Sequence, residues 1–121
     1  MKRYLYLLAG LLLMAGCQPK DEFQTSPLRG SWVEVAPHFG HASSISFISA
    51  DEALVNYWTG DGYEKHPYTY RLDEQGAVVL TSKGYGSQFR GVFNEAGDMG
   101  IECFYPCIPE YPPVTLFRKG E

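Results

Sequence analysis

His66-Pro67-Tyr68-Thr69-Tyr70-Arg71-Leu72 is the stretch that decides the fold. Tyr68, Tyr70 and Leu72 point one way along an extended backbone, and Thr69 and Arg71 point the other. A period of two is the mark of a half-buried strand. Moving outward, Ala53 to Thr59 carries Leu54, Val55, Tyr57 and Trp58. Ser44 to Ser49 places Ile45 and Phe47 on one face, against Ser44 and Ser46 on the other. Trp32 to Val35, Ala77 to Thr81, Gln88 to Phe93, Met99 to Phe104 and Val114 to Arg118 complete eight β-prone runs. Turn signals separate them, among them Ala50-Asp51-Glu52, Gly60-Asp61-Gly62, Asp73-Glu74-Gln75-Gly76, Lys83-Gly84-Tyr85-Gly86 and Asn94-Glu95-Ala96-Gly97-Asp98. This spacing predicts an all-β domain. A small eight-stranded up-and-down barrel is favoured over a sandwich, because sequential hairpins without a long crossover close most simply that way. Closure also removes exposed strand edges.

The first residues read differently. Lys2 and Arg3 precede an apolar run from Tyr4 to Ala15, about the length of a signal-peptide core and short of the roughly 20 residues of a membrane span. Ala15-Gly16-Cys17 resembles the lipobox of bacterial lipoproteins. That resemblance implies a signal peptide over residues 1–16, cleavage before Cys17 and acylation of its thiol, such as a palmitate-bearing diacylglycerol. Several acyl chains exceed what stable membrane anchoring needs. Met14 departs slightly from the pattern, which more often has Leu there. Gln18 after the cysteine implies the outer membrane of a Gram-negative bacterium. Lys20-Asp21-Glu22 resembles a short cell-surface export tag and reads equally well as a solvated tether, which leaves the periplasmic or surface face undecided. Residues 17–27 are expected to be the lipidated cysteine and a flexible tether, and residues 28–119 the barrel.

After cleavage, 105 residues with 8 basic and 14 acidic side chains would remain. No basic patch is available to displace counterions from phosphates, so nucleic acid is excluded as a partner. The length suits one small core.

Leu28-Arg29-Gly30-Ser31-Trp32, at the head of such a meander, resembles the Gly-x-Trp opening of lipocalins and of compact lipocalin-like domains on bacterial lipoproteins. The ending Val114-Thr115-Leu116-Phe117-Arg118-Lys119 resembles their last strand. The resemblance carries over Gly30, Trp32 and Arg118 as structural positions, and implies that Arg118 stacks on Trp32 at the closed end. Secreted lipocalins are longer and carry a terminal helix that is missing here.

In a meander, alternate loops emerge at one end. Residues 36–43, 60–65, 82–87 and 105–113 form one set, and the tight acidic turns form the other. The first set contains or borders His38, His41, Tyr63, His66, Tyr85, Tyr105 and Tyr111. That rim is the candidate site for a ligand or partner. With Cys17 lipidated, Cys103 and Cys107 form a candidate disulfide. In an extended strand their Cα atoms would lie about 13 Å apart, and a bridge needs under about 7 Å, so Tyr105-Pro106 would have to turn the chain. Free thiols, or a metal site joining His38-x-x-His41 to Cys103-x-x-x-Cys107, are the alternatives. No catalytic constellation emerges: Ser43 and Ser44 near His41 lack an orienting acid at known spacing, and Asp61 with Glu64 reads as a solvated turn. No cofactor is implied. The expectation is a non-enzymatic binding module. Its ligand is small or partly apolar, or its partner is an envelope or extracellular protein gripped by the same loops.

Overall fold

A computed structural model describes residues 26–120. The expected signal peptide, Cys17 and the expected tether up to Thr25 lie outside the described residues. Eight antiparallel strands close into one barrel in sequence order: β1 (Gly30–Glu34), β2 (Ser44–Phe47), β3 (Glu52–Trp58), β4 (Tyr63–Leu72), β5 (Val78–Ser82), β6 (Gln88–Phe93), β7 (Met99–Glu102) and β8 (Val114–Lys119). β1 pairs with both β2 and β8, which completes the cylinder. The all-β, eight-stranded up-and-down barrel expected from the alternation is therefore the observed architecture, and every expected run contributes a strand.

Where strand ends differ from the expected runs they do so by one to three residues, and three of the shifts have a clear local reason. β4 begins at Tyr63 rather than His66, because Thr59 to Gly62 makes a tight turn in which the Thr59 N–H donates to the Gly62 carbonyl at 2.9 Å. β2 ends at Phe47, since the Ser49 hydroxyl accepts the Glu52 N–H at 3.1 Å and turns the chain. β7 ends at Glu102 because Cys103 takes a left-handed φ of 55°, a conformation that breaks a strand.

Inward positions form the core. Trp32, Ile45, Phe47, Val55, Val78, Leu80, Met99, Ile101 and Phe117 are all buried. Eight strands enclose little more than their own side chains, and here the room is rationed at Gly91. A Cβ there would lie 2.8 Å from the Met99 side chain, so the missing side chain is the space the methionine fills.

The closed end corrects one carried-over expectation. Gly30 opens β1 at φ 114°, a conformation suited to glycine. Trp32 points inward, packs on Phe93 at 5.6 Å and donates from Nε1 to the Leu28 carbonyl at 3.0 Å. Arg118 does not stack on it. The β1–β8 register sets Arg118 opposite Val33 on the outer wall, and Lys119 opposite Trp32. Arg118 instead forks onto Asp98, with Nε to Oδ1 at 3.0 Å and Nη2 to Oδ2 at 2.9 Å. A paired carboxylate and the outward face both compete with the aromatic ring, and together they win.

The same pairing makes an acid-pH prediction. The Arg118 guanidinium holds the Asp98 carboxyl below its ordinary 3.8. The Ala77 N–H, aided by Arg90, does so for Asp73. A carboxyl depressed on folding supports stability above its unfolded value and loses that support as pH falls through the folded one. Denaturation midpoints should therefore drop below about pH 4, and Arg118→Ala should flatten that decline. An unchanged acid limb in the variant would remove Asp98 from the account.

Candidate functional site

The wide end is built from the loops after the odd-numbered strands. Its centre is occupied by a segment of the β7–β8 connection, Cys103 to Cys107. The two cysteines are joined as a disulfide with their Cα atoms 5.0 Å apart, and the bridge takes both thiols away from any metal. His38 and His41 also diverge, so the alternative of a four-ligand metal site does not form. His38 packs edge-on to Phe39 and Tyr111 at 4.6 and 5.9 Å, and His41 stacks on Trp58 at 4.0 Å.

Closure of a five-residue loop contributes about 2 kcal/mol in the chain-entropy account. The Cys103→Ser, Cys107→Ser double variant should accordingly lose about that much stability by denaturant titration. A loss near zero would show that the loop is held by packing alone.

Inside the bridge, Phe104 and Tyr105 point down into the barrel and are buried. Phe104 meets Phe117, Phe89, Tyr57 and Tyr105 at ring separations of 4.9 to 5.5 Å. Tyr105 corrects an expectation: it is a plug residue rather than a rim residue. Its phenol is anchored by polar partners that the alternation pattern did not reveal. Tyr105 Oη donates to Glu34 Oε1 at 2.6 Å, and the Ser43 hydroxyl lies 2.9 Å from the same Oη. Ser43 completes the network: its backbone N–H donates to Glu34 Oε1 and its Oγ accepts the Trp58 N–H, both at 2.9 Å. Burial, and then the Glu34 carboxylate, push the Tyr105 phenol far above the ordinary tyrosine value. The signal for Glu34 in the sequence was an acidic residue at an inward position of an otherwise apolar run.

The remaining rim residues do gather at this end. Tyr63 packs on Trp58 at 5.0 Å. His66 lies between Tyr57 and Tyr85 at 6.4 and 6.5 Å, and its Nε2 is 3.2 Å from Glu64 Oε1. Tyr111 leans on Phe39 at 5.2 Å. Tyr63, expected in the loop before the strand, sits on β4 itself, and His66 lies on β4 as the alternation implies.

The plug divides the wide end into two clefts that share Tyr57 and Pro106 as their common wall. One holds about 210 Å³ beside Phe39, Trp58 and Tyr111. The other holds about 320 Å³ against Val55, His66, Tyr68, Tyr85, Phe89 and Phe104. Tyr57 and Tyr68 both line the larger cleft, and desolvation by burial raises their phenols above the usual tyrosine value. Neither cleft is lined by a lysine or arginine. Set against known protein families, curated proteins and solved structures, the chain matches none of them.

Proposed function

We propose that this protein is a lipid-anchored, non-catalytic binding module of the bacterial envelope that takes a small, partly apolar ligand at the wide end of its barrel. The observation that carries this reading is the 320 Å³ cleft, whose walls are mostly aromatic and apolar with a few polar groups at the edge. Ligand sites have that composition, and this volume lies at the lower end of their usual range of roughly 300–1,000 Å³. The barrel opening on Gly30 and Trp32 supports the lipocalin-like reading of the scaffold. The lipobox-like Ala15-Gly16-Cys17 supports an anchor in the outer membrane.

The topology bears on how such an anchor would present the site. The chain enters at Ser26 beside the end of β8, where Lys119 Nζ donates to the Pro27 carbonyl at 2.8 Å. The odd-numbered loops lie at the other end of the strands. A lipid on Cys17 would then hold the closed end towards the bilayer and leave the clefts facing away from it.

A second reading uses the same loops to grip an envelope or extracellular protein. Tyr85 at 82%, Tyr63 at 47% and Ile108 at 44% exposure favour it, since aromatic side chains concentrate at protein interfaces.

The test is NMR titration of the full chain with a panel of small aromatic and alicyclic molecules, with intact-mass analysis of the same preparation. Saturable shifts at Val55, Tyr68 and Phe89 together with acyl mass on Cys17 are the expected result. Shifts confined to Tyr63, Tyr85 and Ile108 on adding envelope protein would move the conclusion to the second reading. An unmodified Cys17 would remove the anchor.

A further inference from the structure

The larger cleft has the geometry of an aromatic box. Phe104 lies 5.5 Å from Phe89 with their planes 39° apart, and 5.4 Å from Tyr57 with planes 49° apart. Tyr68 stacks behind Phe89 at 23°. These four rings make a nearly continuous floor. His66 stands steeply to Tyr57, at 70°, and Tyr85 steeply to His66, at 66°, which raises a side wall.

The charges around the box favour a positive guest. Its lining contains no lysine or arginine. The nearest cation of the adjoining loop, Lys83, is held on Glu52 at 2.6 Å, and Glu64 stands beside His66 at the edge. Residues 26–120 carry seven Lys and Arg against eleven Asp and Glu, so the domain as a whole attracts cations. Ring faces carry partial negative charge, and several faces converging on one space bind an organic cation whose hydration is weak.

We propose that the ligand of the 320 Å³ cleft is an organic cation of the alkylammonium class, held by cation–π attraction to Tyr57, Tyr85, Phe89 and Phe104. This rests on the ligand-binding reading above and names its chemistry. The floor excludes water from the apolar methyl groups. An anion gains nothing here, because no fixed positive side chain faces it.

A matched pair of probes isolates the charge. Choline and 3,3-dimethylbutan-1-ol share shape and hydroxyl and differ in whether nitrogen or carbon carries the three methyl groups. They are titrated by calorimetry and NMR into the full chain, kept in a neutral maltoside detergent free of choline lipids. Choline should bind about tenfold tighter than the alcohol, as expected when more than one ring face contributes. Tyr85→Ala, at a position 82% exposed and so safe for folding, should cut that preference several-fold. Phe89→Leu, checked for an intact fold by its amide spectrum, should do the same from the floor. Glu64→Gln, which removes one charge at the edge and no ring, should lower the preference less than Tyr85→Ala or Phe89→Leu does; complete loss there would assign the selectivity to the carboxylate and overturn the box. Equal or tighter binding of the alcohol overturns the cation while leaving a ligand site. Failure of both probes to saturate with shifts at the cleft overturns the cation, and the ligand reading falls with it only when the aromatic and alicyclic panel fails as well.

Discussion

Trp32→Ala is expected to lower the unfolding free energy by about 3–5 kcal/mol, the usual cost of deleting a buried large aromatic side chain. Trp32 is 4% exposed and closes the narrow end of the barrel. Its removal leaves a cavity against Phe93 and strips the Leu28 carbonyl of its Nε1 donor. The two losses act in the same direction, since a buried acceptor left unpaired adds its own penalty. Strands β1 and β8 meet at this residue, so the cost falls on the seam that closes the cylinder. The measurement is a denaturant midpoint at constant slope. Trp58 is the second of the two tryptophans and lies half-buried against His41, and it remains as the fluorescent reporter. A midpoint within error of the parent protein would mean that the narrow end contributes little to stability.

Tyr105→Phe is expected to cost about 1.5–3 kcal/mol, the range for hydrogen bonds to charged groups. The ring stays, so the packing against Phe104 and Phe39 is kept. What goes is the donor to Glu34 and a partner for Ser43, both of them buried. Adding Glu34→Gln to the Tyr105→Phe variant should recover part of the loss, because a neutral amide suffers less from a missing donor than a carboxylate does.

The alkaline limb supplies a second readout. The folded phenol keeps its proton at pH values where the unfolded phenol, near 10, has lost it. Stability is therefore fully present below pH 10 and declines above it by about 1.4 kcal/mol per pH unit for one such group. Tyr57, Tyr68 and Tyr70 are raised by burial as well, so the Tyr105→Phe variant should decline less steeply rather than become flat. Parallel slopes for the two proteins would show that Tyr105 ionises as freely when folded as when unfolded.

Some of this architecture is written in local order. The alternation Tyr68-Thr69-Tyr70-Arg71-Leu72 is enough to name a strand, because side chains on an extended backbone take opposite faces whatever surrounds them. Eight such runs joined by short acidic turns leave few ways to bury their apolar faces, and a meander closed on itself is the simplest. Parity of the loops then places His38, His41, Tyr63, His66, Tyr85 and Tyr111 at one end without any knowledge of contacts.

Other features depend on positions that are distant in the chain. Whether Trp32 meets Arg118 or Lys119 turns on a one-residue register across the β1–β8 seam, 86 positions apart, and a shift of one residue exchanges the two faces. The direction of Tyr105 depended on the bridge between Cys103 and Cys107 turning the chain inward, and on Glu34 and Ser43 waiting there with hydrogen bonds. Sequence patterning alone determined a closed cylinder with an aromatic end. Tertiary structure decided that the centre of that end is filled, and that the larger open space beside it is an off-centre cleft floored by rings from β3, β4, β6 and the plug. The physical reason is that periodicity reports which face a side chain takes, while the volume left over is set by how all the inward side chains pack against one another.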